Sequence, residues 1–155
     1  MAPAENAPIK IVSENRKARH DYLILDQFEA GMVLTGTEVQ SMRLGKVNLK
    51  DAYAKIKNGE IFLYQVHIGP YPFAYYNNHE PLRTRKLLLH RREINRLFAK
   101  ANEQGHTLVP LRVYFKKGKA KVVIAVAKGK RAYDKRESIR KREHDREMDR
   151  ARKQR

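Results

Sequence analysis

The chain contains no cysteine, which excludes disulfides and every metal site built on thiolates. It also has no apolar run approaching the ~18 residues that a membrane-spanning helix needs. Its first residues, Met1 to Pro8, show no basic stretch leading into an apolar one. They read as a short flexible lead-in rather than a secretory signal. Catalytic signatures are equally scarce. There is no G-x-S-x-G elbow. Gly118-Lys119 and Gly129-Lys130 lack the upstream glycine and the following Ser or Thr of a phosphate-binding loop, and none of the six histidines falls in H-E-x-x-H. The expectation is a protein without catalytic residues, metal or cofactor.

Acid is short as well. Lys and Arg number 34 against 17 Asp and Glu, a formal charge of +17. Such a surface attracts polyanions, and nucleic acid is the commonest partner of a basic domain this small. The charge is unevenly placed. From Lys128 to Arg155 there are 13 basic and 6 acidic residues, and Tyr133, Ile139 and Met148 are the only large apolar ones. That segment cannot bury enough surface to offset an ordering entropy of roughly 1–2 kcal/mol per residue. The chain therefore divides into a lead-in (1–9), one folded unit (10–127) and a basic tail (128–155).

Within the folded unit, Ser13 to His20 reads as a short basic helix with Ser13 as its N-cap. Tyr22 to Phe28 looks extended, with a turn at Ala30-Gly31. Thr35 and Glu38 have capping-box spacing, which predicts a helix with Val39 and Met42 facing inward, stopped at Gly45. Ala52 to Lys57 alternates and meets Asn58-Gly59, the pair a type I′ hairpin turn favours. A returning strand follows over 61–68, then a long loop rich in proline, asparagine and aromatic residues. Ile94, Leu97, Phe98 and Ala101 fall on one face of a helix over 90–104. Two more strands follow, 107–115 with Pro110 at an edge or bulge, and 121–127. In the last, Val122, Ile124 and Val126 face one way, with Lys121, Val123, Ala125 and Ala127 opposite. The sum is a mainly β fold of about six strands and three helices. A closed antiparallel, OB-like barrel is the natural way to hide so few edges, and such barrels often bind nucleic acid.

Four clusters bear on binding. Arg16, Arg19 and His20 share one helical face, with Lys17 beside it. Arg83, Arg85, Lys86, Arg91, Arg92 and Arg96 form a second basic group around Leu87-Leu88-Leu89. One of these leucines is placed outward or all three are core. The rings of Tyr71, Phe73, Tyr75 and Tyr76 either stack on bases or close one barrel end, the second being preferred. In the tail, Asp134 and Glu137 suit a helix N-terminus, Glu137 and Lys141 pair, and Arg142, Arg146 and Arg150 line a stripe. A tail disordered when free and helical along RNA is expected. From these residues alone a ribosomal protein or a metal-dependent nuclease remains an alternative.

The ordered strings narrow this. They are Asn-Arg-Lys-Ala-Arg-His-Asp-Tyr at 15–22, Phe-Glu-Ala-Gly at 28–31, Gly-Thr-Glu-Val at 36–39, His-Glu-Pro at 79–81 and Arg-Lys-Leu-Leu-Leu-His at 85–90. Leu-Val-Pro-Leu at 108–111 and Ala-Lys-Gly-Lys-Arg-Ala-Tyr-Asp-Lys-Arg at 127–136 complete them. Together they resemble the SsrA-binding protein (small protein B) family. The resemblance implies an OB-like barrel, working as a monomer in the bacterial cytoplasm and off the membrane. It implies binding to the tRNA-like domain of tmRNA, delivery with elongation factor Tu, and ribosome rescue by trans-translation. Glu29, Leu88 and Lys121 match positions tied to tmRNA binding, and Asn15, Lys17, Arg19 and His20 match the family's N-terminal RNA-facing motif. Lys128, Gly129, Lys130, Arg131, Tyr133, Asp134, Lys135 and Arg136 match the tail that enters the empty mRNA channel and the 16S rRNA decoding centre. Where some members end on an Ile-Met pair, residues 150–155 here are Arg-Ala-Arg-Lys-Gln-Arg.

Overall fold

The computed structural model describes residues 8–103, 105–130, 144, 146–148 and 150. The fold is mainly β. Nine strands and three helices run in the order β1 (Ile9–Glu14), α1 (Arg16–Asp21), β2 (Tyr22–Met32), α2 (Gly36–Arg43), β3 (Val47–Asn48), β4 (Tyr53–Lys57), β5 (Glu60–Tyr64), β6 (His67–Ile68), β7 (Arg85–Leu88), α3 (Arg91–Ala101), β8 (His106–Lys116) and β9 (Lys119–Gly129) among the described residues. Seven strands form one antiparallel sheet in the order β1-β8-β4-β5-β7-β2-β9, and β8 also pairs with β9. The pairings therefore run in a circuit of six strands, with β1 attached outside it. The short β3 and β6 pair with each other.

Local chemistry explains most of these elements. Asn58 and Gly59 both take positive φ between β4 and β5, and Lys117 and Gly118 do the same between β8 and β9. Two consecutive positive φ values give the turn whose twist matches antiparallel strands. At α2, Glu38 accepts from the Thr35 N–H at 2.8 Å, as the capping box requires. The alternation of β9 holds as read. Val122, Ile124 and Val126 enter the main core, whereas Val123, Ala125 and Ala127 join a second cluster on the outer face of the sheet.

Four expectations change. Ser13 lies in β1, and the cap of α1 is Asn15, whose side chain accepts from the Ala18 N–H at 3.1 Å. Ala30-Gly31 is no turn, because β2 runs straight through it to Met32. The return strand breaks at Gln65, which has φ 62°, and β6 leaves to pair with β3. The last strand continues through Gly129, where it faces Tyr22.

Asn15 also repairs a gap. Strand β8 pairs with β4 at Leu108 and with β1 from Arg112 onward, so the stretch at Pro110 and Leu111 has neither partner. The Asn15 backbone N–H donates to the Leu111 carbonyl at 2.7 Å. Its side-chain amide donates to the carbonyls of Pro110 at 3.0 Å and Leu49 at 3.1 Å. Proline is tolerated here because the ladder is already interrupted and bulged.

Candidate nucleic-acid interface

Strand register assembles the first group of residues. Gly31 on β2 lies opposite Leu88 on β7 and opposite Lys121 on β9, and Lys121 in turn lies opposite Tyr114 on β8. Glu29 is two residues from Gly31 and so shares its face of the sheet. Glu29, Gly31, Leu88, Leu89, His90, Glu93 and Lys121 line one open cleft. The three residues at 29, 88 and 121 are thus brought together. Leu87 is buried and Leu88 is 55% exposed, so the outward leucine is the middle one. A Cβ at Gly31 would lie 3.4 Å from Leu88 Cβ and 3.8 Å from Lys121 Nζ. Glycine keeps the floor of the cleft low between an apolar and a cationic wall.

Glu29 is held in place. The Tyr114 hydroxyl donates to its Oε2, and Lys116 Nζ lies 3.5 Å from the same oxygen. Burial, then the hydrogen bond to Glu29, push the Tyr114 phenol above its ordinary pKa, so it remains a donor at neutral pH. Tyr114 and Lys116 have no site role in the sequence reading, and Gly31 figures there only as a turn and in the string at 28–31. The one available signal was the tyrosine standing among aliphatic residues in β8.

Helix α1 lies against the neighbouring part of the same outer face. Ala18 packs into the second cluster with Val109, Leu111, Tyr114 and Val123. Arg16, Lys17, Arg19 and His20 are exposed, while Asn15 is buried and fully engaged as described. Tyr114 belongs to the cluster that receives Ala18 and bonds Glu29 through its hydroxyl, joining the two groups.

The second basic group is split by the fold. Arg85 is fully buried and bonds Glu38, the Val66 carbonyl at 2.6 Å and the Pro81 carbonyl at 3.1 Å. Arg83 donates to Glu38 at 2.6 Å and Lys86 to Glu60 at 3.1 Å. Burial alone would raise the Glu38 carboxyl, but bonds from Arg83, the Thr35 N–H and Arg85 outweigh it and hold the pKa at about 2. Three of the cationic side chains thus brace the fold or pair on the surface. Arg91, Arg92 and Arg96 remain exposed on α3. That helix is fixed to β2 by the Lys100–Asp26 ion pair.

The aromatic loop does not close a barrel end. Phe73, Tyr75 and Tyr76 point into solvent. Of the tail positions, Lys128 and Gly129 stand on β9, and Lys130 Nζ donates to the Arg19 carbonyl at 3.2 Å, so the chain leaves the sheet beside α1. Arg131, Tyr133, Asp134, Lys135 and Arg136 lie outside the described residues. Positions 144, 146–148 and 150 have helical backbone.

The family model described as SmpB protein matches residues 12–154. The chain belongs to the SmpB protein family. Its relatives include SsrA-binding proteins from Symbiobacterium thermophilum, 62% identical over 97% of this chain and 96% of that one, and from Syntrophobacter fumaroxidans, 56% identical over 99% and 95%. A third, from Geobacillus thermodenitrificans, is 58% identical over 92% of each. Among solved structures the fold matches a chain described as "tmRNA-SmpB: a journey to the center of the bacterial ribosome". The TM-score is 0.66 and the identity 48%, over 79% of this chain and 85% of that one. The SmpB resemblance read from the ordered strings therefore holds across the folded unit.

Proposed function

We propose that this protein binds the tRNA-like domain of tmRNA and brings it to stalled ribosomes for trans-translation. The observation that carries the reading is the convergence of Glu29, Leu88 and Lys121 around Gly31, in a chain of the SmpB family. The chemistry suits an irregular RNA surface. Lys121 and the α1 cations supply phosphate affinity. Leu88 offers an apolar surface for a ribose or an unstacked base. Glu29 would repel phosphate, so its use is as an acceptor for a base N–H. Its Oε2 is engaged by Tyr114, which orients the carboxylate and leaves Oε1 as the acceptor. Asn15 serves by holding α1 rather than by touching RNA.

The six-strand circuit is read as the closed OB-like barrel. It presents the RNA face as a rigid surface, and the protein acts as a cytoplasmic monomer that binds rather than catalyses. The tail takes up the role the resemblance implies. Lys128 to Arg131 open the tail, and Tyr133 and Asp134-Lys135-Arg136 enter the decoding centre. The cationic stretch beyond becomes helical along the empty mRNA channel. Delivery uses elongation factor Tu. The deciding experiment is binding to the isolated tRNA-like domain against equal-length tRNA at about 0.2 M salt, which suppresses non-specific contacts. Clear preference for the tmRNA domain is expected, and equal binding to both would defeat the reading.

A further inference from the structure

The segment between β6 and β7 carries three rings in water. Phe73 is 70% exposed, Tyr75 89% and Tyr76 88%. Rings left on a floppy loop would need no explanation, but this loop is braced from inside. Asn78 accepts from the Tyr71 N–H at 3.2 Å and from the His79 N–H at 3.1 Å, and its amide donates to the Tyr71 carbonyl at 3.0 Å. His79 is buried. Its Nε2 donates to the Ile68 carbonyl at 2.8 Å, and its Nδ1 shares a 2.9 Å bond with the Thr37 hydroxyl. Tyr71 and Phe73 meet edge to face at 5.4 Å. The loop that carries the rings is thus preorganised, and Phe73, Tyr75 and Tyr76 are left exposed on it. Stacking on it forfeits little conformational freedom.

The surroundings select the partner. A shallow cleft beside the loop is lined by Gln40, Arg43 and Asn77 together with the start of α2. The Lys46 side chain packs at 3.3 Å from the position a Cβ on Gly69 would take, at the loop's base. The acid of α2, Glu38, is buried and bonded to Arg83 and Arg85, and Glu80 is the one carboxylate of the loop itself. Rings interleaved with amides and cations match unpaired nucleotides, whose bases stack on aromatics and whose phosphates meet positive charge. The loop returns directly into β7. The first residue of that strand, Arg85, is three residues from Leu88, about 10 Å at strand spacing. The loop and the Glu29–Leu88–Lys121 face are therefore joined by one short strand, β7.

We propose that Phe73, Tyr75 and Tyr76 form a second contact for the RNA seated on that face, stacking unpaired bases outside the cleft. This rests on the tmRNA reading and extends the footprint beyond it. Two variants test it with the isolated tRNA-like domain. The triple change Phe73→Ser, Tyr75→Ser, Tyr76→Ser removes exposed rings and should leave the melting temperature nearly unchanged. It should weaken binding at least tenfold without altering the slope of log affinity against log salt, since no charge is removed. Tyr75→Trp puts one tryptophan into a chain that has none, and its emission should be quenched and shielded from acrylamide at RNA saturation. Wild-type affinity in the triple variant, or an indole equally accessible with and without RNA, overturns the proposal and assigns the loop to a protein partner or to none. If wild type fails to prefer the tmRNA domain over tRNA, the parent reading has failed instead. The two failures are therefore distinguishable.

Discussion

The Tyr114 hydroxyl reaches past β9 to donate to the Glu29 carboxylate, linking β8 to β2 on the outer face of the sheet. Three consequences follow for binding. Glu29→Ala should weaken tmRNA binding although it makes the protein more basic, because the cleft loses its aimed acceptor. Tyr114→Phe should weaken it by about three- to tenfold while costing about 1 kcal/mol of stability. In the double variant the losses should be less than additive, since both changes disturb one carboxylate. Filter binding at fixed salt measures all three. Tighter binding by Glu29→Ala would show that the cleft is read by charge alone.

Gly31 tests the cleft by filling it. It lies within strand β2 and has no left-handed requirement, so a β-branched residue suits the backbone. A Cβ there meets Leu88 at 3.4 Å, so Gly31→Val should fold and raise the floor between Leu88 and Lys121. The expected outcome is a melting temperature within a few degrees of wild type and at least tenfold weaker binding. Normal binding with an intact fold would place the RNA elsewhere.

The Glu38 network predicts an acid-side loss of stability. Its carboxyl stands at about 2 in the folded chain against 4.5 for the free group. Because the folded value is the lower one, the stabilisation is complete above pH 4.5 and falls as pH drops toward 2. The difference corresponds to roughly 3 kcal/mol. Glu38→Gln removes the charge at all pH and leaves Arg85 buried without its counter-ion. It should cost roughly 3–5 kcal/mol at neutral pH and flatten the acid-side slope. Urea melts at a series of pH values give both results.

Asn15 predicts a change in stability that precedes any change in binding. Asn15→Ala removes the cap of α1 and both amide bonds across the gap in β8, at a cost of roughly 2–4 kcal/mol. Asn15→Ser keeps a capping oxygen but cannot span to Leu49 and Pro110, so it should recover about 1 kcal/mol. Thermal melts rank the three proteins. If Asn15→Ala melts like wild type and fails only in RNA binding, the residue contacts RNA directly.

The tail is tested by truncation. The cut belongs after Lys130, because Lys128 and Gly129 pair within the sheet. Removing 131–155 should leave affinity for the tRNA-like domain nearly intact and abolish tagging of stalled products in a reconstituted translation system. Loss of domain binding would instead make the tail part of the first contact.

What could be read from the sequence was whatever depends on neighbours along the chain. Asn58-Gly59 makes its hairpin because two residues alone set the φ values the turn needs. Thr35 and Glu38 cap α2 because they are one helical turn apart. The alternation in 121–127 placed Lys121 opposite the core side because a strand has a period of two. The tertiary structure decided the rest, through pairings between distant segments. Arg85 looked like one more surface cation until β7 carried it into the core against Glu38, 47 residues away. Gly31 looked like a turn until β7 on one side and β9 on the other kept β2 extended through it. Asn15 looked like an RNA contact, yet its amide fills a gap in a ladder between residues far along the chain. Glu29 and Tyr114, 85 residues apart, meet only because β8, β9 and β2 lie in one register. Local conformational preference carries no information about register, and register places side chains across a sheet.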